Sequence, residues 1–167
     1  MCREFWRELL LAAVLTAVIF TAMDLLGNFF VLETGEVTLS AGLLAFSLAA
    51  LVLPALAGCI PSGCLIARKT KDIKAVLFLP ALGAAIGGLV LMILSAVPLL
   101  LMDDAAWLAQ MAEVAGYGAE FFENMSLAEY KSMIAFSVVF GALFLAIINF
   151  AIGLAGAYAG SRLARKK

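Results

Sequence analysis

Four long uncharged stretches dominate this chain: Leu9 to Leu32, Leu39 to Ala67, Ala75 to Met102 and Met133 to Gly160, with Asp24 the only formal charge inside any of them. Each exceeds the roughly 20 residues that cross the hydrocarbon of a bilayer. In lipid the backbone must bond within its own segment, so runs of this length read as helices. Composition points the same way: 65% of residues are apolar and 14% charged, against about half and a quarter in soluble domains. The expected fold is all-α and polytopic, a single transmembrane domain over 1–167 with four helices near 9–32, 39–67, 75–102 and 127–162 in an antiparallel bundle. The first run is too long for a signal-peptide core and carries Asp24, so it is expected to remain as a helix.

Charge orients this object. Arg3, Arg7, Arg68, Lys69, Lys71, Lys74, Arg162, Arg165, Lys166 and Lys167, ten of the eleven basic residues, flank the runs on one side. Eight of the twelve acids, Glu33, Glu36, Asp103, Asp104, Glu113, Glu120, Glu123 and Glu129, lie on the other, with Lys131. Basic flanks mark the cytoplasmic side, which predicts a multi-pass protein of the cell membrane with both termini inside. The basic groups at Arg68, Lys69, Lys71, Lys74, Arg162, Arg165, Lys166 and Lys167 are expected to touch anionic inner-leaflet lipid, at about 1 kcal/mol each. Nucleic acid is not an expected partner, because no aromatic-and-basic module accompanies them.

The first two connections are short and predict helical hairpins. The second helix contains Pro54 and Pro61, and a bend is expected near its inner end. The third connection, the outer loop 103–126, is long enough for a short interfacial helix capped by Asp103 or Asp104, with Trp107, Met111 and Val114 on one face. Ser126 and Glu129 have capping-box spacing, so the last helix is expected to start near Leu127. Trp107, Tyr117, Phe121, Phe122 and Tyr130 are expected in an outer aromatic belt, and Phe5, Trp6 and Tyr158 in an inner one. Asn124-Met125-Ser126 has the form of a glycosylation sequon on the outer side.

Small residues must supply helix association in lipid. They concentrate toward the basic side, at Gly58, Gly83, Gly87, Gly153, Gly156 and Gly160. Seams within one subunit are the expected use, a homodimer or larger membrane complex the alternative. Leu56-Ala57-Gly58 and Leu154-Ala155-Gly156 echo one another ahead of two basic ends, as a parallel duplication would. Polarity collects instead toward the acidic side. Counted inward at about 1.5 Å per residue, Asp24 lies about 12 Å deep, Ser47 about 13 Å, Ser95 about 10 Å and Ser137 about 8 Å or less. Thr21, Asp24 and Asn28 share a helical face. Thr21, Asp24, Asn28, Ser47, Ser95 and Ser137 thus form the candidate intramembrane polar site. A carboxylate at such depth suggests transport by default, but one acid without a charged partner is more economically structural.

Catalysis finds no support in the residue types. The chain has no His, no phosphate-cradling loop and no metal-ligand cluster, so neither cofactor nor metal is expected. Cys2, Cys59 and Cys64 read as small apolar residues near the inner side, with acylation the alternative. The function expected is therefore non-enzymatic: an accessory or packing component that binds other membrane proteins or lipid, with a small transporter or channel component using Asp24 as the alternative.

Ala57-Gly58 through Gly63, the short basic turn, Gly83 with Gly87-Gly88, and Gly153-Gly156-Gly160 ahead of a basic end resemble small archaeal four-helix membrane families whose domain has no assigned activity. The resemblance implies architecture alone. Asp24, Asn28 and the aromatic outer loop lie outside it.

Overall fold

Three helices of this chain start at short polar side chains placed where backbone donors have no partner. In the computed structural model, Asp72 Oδ1 accepts from the Lys74 amide at 3.0 Å and Asp103 Oδ1 from the Ala106 amide at 2.8 Å. Ser126 and Glu129 close the capping box in both directions: the Ser126 amide donates to Glu129 Oε2 at 2.8 Å, and the Glu129 amide donates to Ser126 Oγ at 3.3 Å. The structure describes residues 5–34, 41–116 and 125–165, with side chains at 5–26, 46–99, 101–112 and 125–165. Asn28, Glu33, Glu113 and Val114 have side chains outside that set, and Glu36, Glu120 and Glu123 lie wholly outside the described residues. Cys2, Arg3, Tyr117, Phe121, Phe122, the sequon at Asn124, Lys166 and Lys167 lie outside it altogether.

Every regular element among the described residues is a helix: α1 (Trp6–Thr34), α2 (Ala41–Lys69), α3 (Ile73–Leu100), α4 (Asp104–Gly116) and α5 (Leu127–Arg165). Four of them, α1, α2, α3 and α5, are long and apolar enough to cross a membrane. α3 begins two residues ahead of the expected 75 because Asp72 caps it, a role hidden within a turn that reads mainly as basic. α2 runs as one helix through Pro54 and Pro61. The 39 residues of α5 span about 58 Å at the helical rise. That exceeds the 40–45 Å or so of a whole bilayer, so the helix projects beyond the hydrocarbon.

The chain divides into two units, one of Met1–Leu91 with Phe144–Lys167 and one of Met92–Leu143. In the first, Phe5, Ile66, Ala75 and Val76 form one buried cluster, and Ala55, Cys59, Ala84 and Ala157 another. The second cluster is built from small side chains because the backbones nearly touch. A Cβ on Gly58 would lie 2.5 Å from Thr16 Oγ1 and 2.6 Å from the Ala12 carbonyl oxygen. One on Gly83 would lie 2.5 Å from the Leu9 carbonyl oxygen, and one on Gly153 2.9 Å from Ala81 Cα. Gly87 abuts Ala13 in the same way, Gly156 abuts Leu56 and Cys59, and Gly160 abuts Ile60 and Cys64. Thus α1 rests on glycines of α2 and α3, while α5 brings its own glycines to α2. The buried Cys59 thiol donates to the Pro80 carbonyl at 3.2 Å, tying α2 to α3.

In the second unit, α4 is held to the start of α5. Trp107 meets Tyr130 edge to face, with ring centroids 5.9 Å apart at 81°. Lys131 pairs with Asp104 and lies over the Trp107 ring. Trp107 and Tyr130 are both buried, so their ring areas pack two helices against each other. Phe5 is buried as well, while Trp6 and Tyr158 are exposed.

Candidate functional site

The polar residue at greatest expected cost, Asp24, opens onto a cavity. From α1, Phe20, Met23 and Asp24 project together, as the i, i+3, i+4 spacing of a helix requires. From α2, Phe46, Ser47, Ala50 and Leu51 face them, and Leu145 of α5 completes the wall. The cavity is open and holds about 280 Å³. Asp24 itself is exposed, within the membrane-length segment Trp6–Leu26. A carboxylate at the centre of a membrane helix costs about 3 kcal/mol on insertion scales, and Asp24, near one end of that segment, costs less. That cost falls when the oxygens keep water or find a cation, and an open cavity permits either.

Of the expected polar layer, the structure brings Asp24 and Ser47 to this one cavity. The Thr21 hydroxyl donates to the Ala17 carbonyl at 2.9 Å on its own helix. Ser95 and Ser137 belong to the second unit, where they donate to Met92 and Met133 at 2.8 and 2.9 Å. Three of the six thus turn back on their own helices. The apolar wall of Phe20, Met23 and Phe46 is the part that sequence reasoning missed. Its signal was present as the spacing of Phe20 and Met23 around Asp24, which carries meaning only once α2 is known to face it.

Two further polar features lie in the first unit. Glu8, buried in the first turn of α1, pairs with Lys69 at the end of α2. Thr16 and Asn149 are wholly buried, and neither the Thr16 hydroxyl nor the Asn149 amide has a hydrogen-bond partner among the described residues. Asn149 nestles against Gly88, one turn of α5 from Leu145 in the cavity wall.

Chemically, the cavity offers one carboxylate and one hydroxyl against hydrocarbon and thioether. Among the described residues no second acid and no base lines it, so these side chains supply a counter-charge rather than an acid–base pair. Among the described residues no three His, Cys, Asp or Glu side chains are grouped to hold a metal. No protein-family model, no curated protein and no solved structure matches the chain.

Proposed function

We propose that this chain is a non-enzymatic integral protein of the cell membrane, an accessory or packing component that binds other membrane proteins or lipid. Its spanning helices form an antiparallel bundle, its termini lie in the cytoplasm, and α4 lies at the outer interface. The order of contacts supports the bundle. From Glu8 to Thr16 along α1, partners on α2 step back from Lys69 to Gly58; from Asn149 to Gly153 along α5, partners on α3 step back from Gly88 to Ala81. The charge partition supports the orientation. Arg68, Lys71, Lys74 and Arg165 are exposed for contact with anionic lipid, whereas Lys69 also serves Glu8 and Arg162 Nε donates to the Tyr158 hydroxyl at 3.0 Å.

The observation that carries the accessory reading is the fate of the outer hydroxyls. Thr21, Ser95 and Ser137 each donate to a carbonyl of their own helix, which commits the one proton each hydroxyl could offer a solute. In liposomes, the purified protein is expected to leave proton and monovalent-cation leak at the level of protein-free vesicles. A protein-dependent flux abolished by Asp24→Asn overturns it. Co-purified anionic lipid, read by native mass spectrometry, is expected to fall when Arg68, Lys71 and Lys74 are changed together to Gln.

The cavity beside Asp24 favours a second reading, a small transporter or channel component. The same flux measurement decides between the two.

A further inference from the structure

We propose that the cavity formed by α1, α2 and Leu145 is a binding site for a small organic cation, an ammonium group held by Asp24 with its apolar body among Phe20, Met23 and Phe46. The inference concerns binding alone and stands whether or not the chain moves a solute.

The chemistry of the walls selects this class. A carboxylate is stabilised by water or by a positive partner, and none of the described side chains that line the cavity is basic, so a counter-charge for Asp24 comes from outside these residues. A hard metal ion fits poorly: calcium takes about six to eight oxygen ligands and magnesium a near-octahedral shell, whereas among the described lining residues Asp24 and Ser47 alone carry a side-chain oxygen. Phenyl rings and a thioether replace the rest. Those groups suit a cation whose charge is shielded by carbon, because ring faces attract ammonium groups through their quadrupole and a thioether packs adaptably against apolar bodies. Size agrees. The volume of about 280 Å³ lies at the lower end of ligand pockets, about 300 Å³ and upward, which suits an amine with one ring.

Position adds a constraint. Counted from the end of its apolar run at Leu32, Asp24 lies about 12 Å deep along the helix axis. A strongly hydrated ion loses its shell at that depth, whereas an amine with an apolar body carries its own solvent. Ammonium groups reach such a site either as free amines or on lipid headgroups, and the test separates the two.

Benzyltrimethylammonium is the probe, with neopentylbenzene as its uncharged isostere, measured by equilibrium dialysis against the full-length protein in dodecylmaltoside. Saturable binding of the cation is expected, with the isostere at least about tenfold weaker. Asp24→Asn should weaken the cation by about tenfold or more, Phe20→Leu by less, and Asp24→Glu should retain it. Phe136→Leu, on the exposed face of α5 in the other unit, should change nothing. Added phosphatidylcholine that displaces the probe while phosphatidylglycerol does not assigns the site to a lipid ammonium; displacement by neither assigns it to free amines. Equal binding of the cation and its isostere, unchanged binding in Asp24→Asn, or no saturable binding by the wild-type protein overturns the proposal. The isostere comparison needs no variant, so it holds even if a substitution disturbs folding.

Discussion

Glu8 and Lys69 form an asymmetric pair: the carboxylate side chain is 6% exposed while its ammonium partner is 54% exposed. Removing either side therefore has unequal consequences. Without Lys69 a buried carboxylate is left uncompensated, whereas without Glu8 the ammonium turns to water. A fully buried pair broken in this way costs about 3–5 kcal/mol, and the exposure of Lys69 reduces that to roughly 1–3 kcal/mol. Lys69→Met should destabilise more than Glu8→Gln, and the double variant should recover part of the loss. Denaturation in mixed micelles followed by circular dichroism reads the order; equal losses would show that the buried end of the pair is already hydrated.

Trp107 and Tyr130 make the comparable point outside the first unit, where ring burial outweighs charge. Truncating a buried Trp to Ala costs about 3–5 kcal/mol, while an exposed ion pair contributes at most about 1 kcal/mol, and the Asp104 side chain is 77% exposed. Trp107→Ala should therefore release α4, raising hydrogen exchange across Asp104–Gly116, and Lys131→Gln should barely change it. A larger effect from Lys131→Gln would reverse this ranking.

Glycine-to-alanine substitution tests the seams. In an exposed helix it would stabilise by about 1 kcal/mol. At Gly83, where a Cβ would meet the Leu9 carbonyl oxygen at 2.5 Å, overpacking should cost about 1–3 kcal/mol instead. The sign of the change in unfolding midpoint decides, and a stabilised Gly83→Ala would refute the close approach of α1 and α3.

Asn149 is expected to behave in the opposite sense from most core residues. Its amide is wholly buried without a partner among the described residues, and such a group costs about 1–3 kcal/mol. Asn149→Leu, close in volume, should be neutral or stabilising. A loss above about 1 kcal/mol would mean that the amide is bonded within the membrane.

Much of the helical layout was legible along the chain because its causes are local. Run length and the cost of unbonded backbone in lipid called for helices, and the Ser126–Glu129 box and the Asp103 cap acted at the spacing where they were read. Asp72 escaped notice because a lone acid among Arg68, Lys69, Lys71 and Lys74 carries no distinct signal. The site was legible only at Asp24. Depth counting placed Asp24, Ser47, Ser95 and Ser137 in one layer, but depth says nothing of which side chains share a cavity or of the rotamers by which Ser95 and Ser137 bond carbonyls of their own helices.

By itself, then, the sequence determined the features that length, polarity and spacing dictate: four membrane-length helices, their caps, and the segregation of charge. Only the tertiary structure decided which faces meet. Closely placed glycines let α1 settle onto α2 and α3, and that settling set Phe20, Met23 and Asp24 opposite Phe46 and Ser47. It also buried Glu8 beside Lys69. Such contacts depend on the rotation and register of neighbouring helices, which in lipid are chosen by side-chain shape rather than by hydrophobicity, since every face of these helices is apolar enough for the membrane.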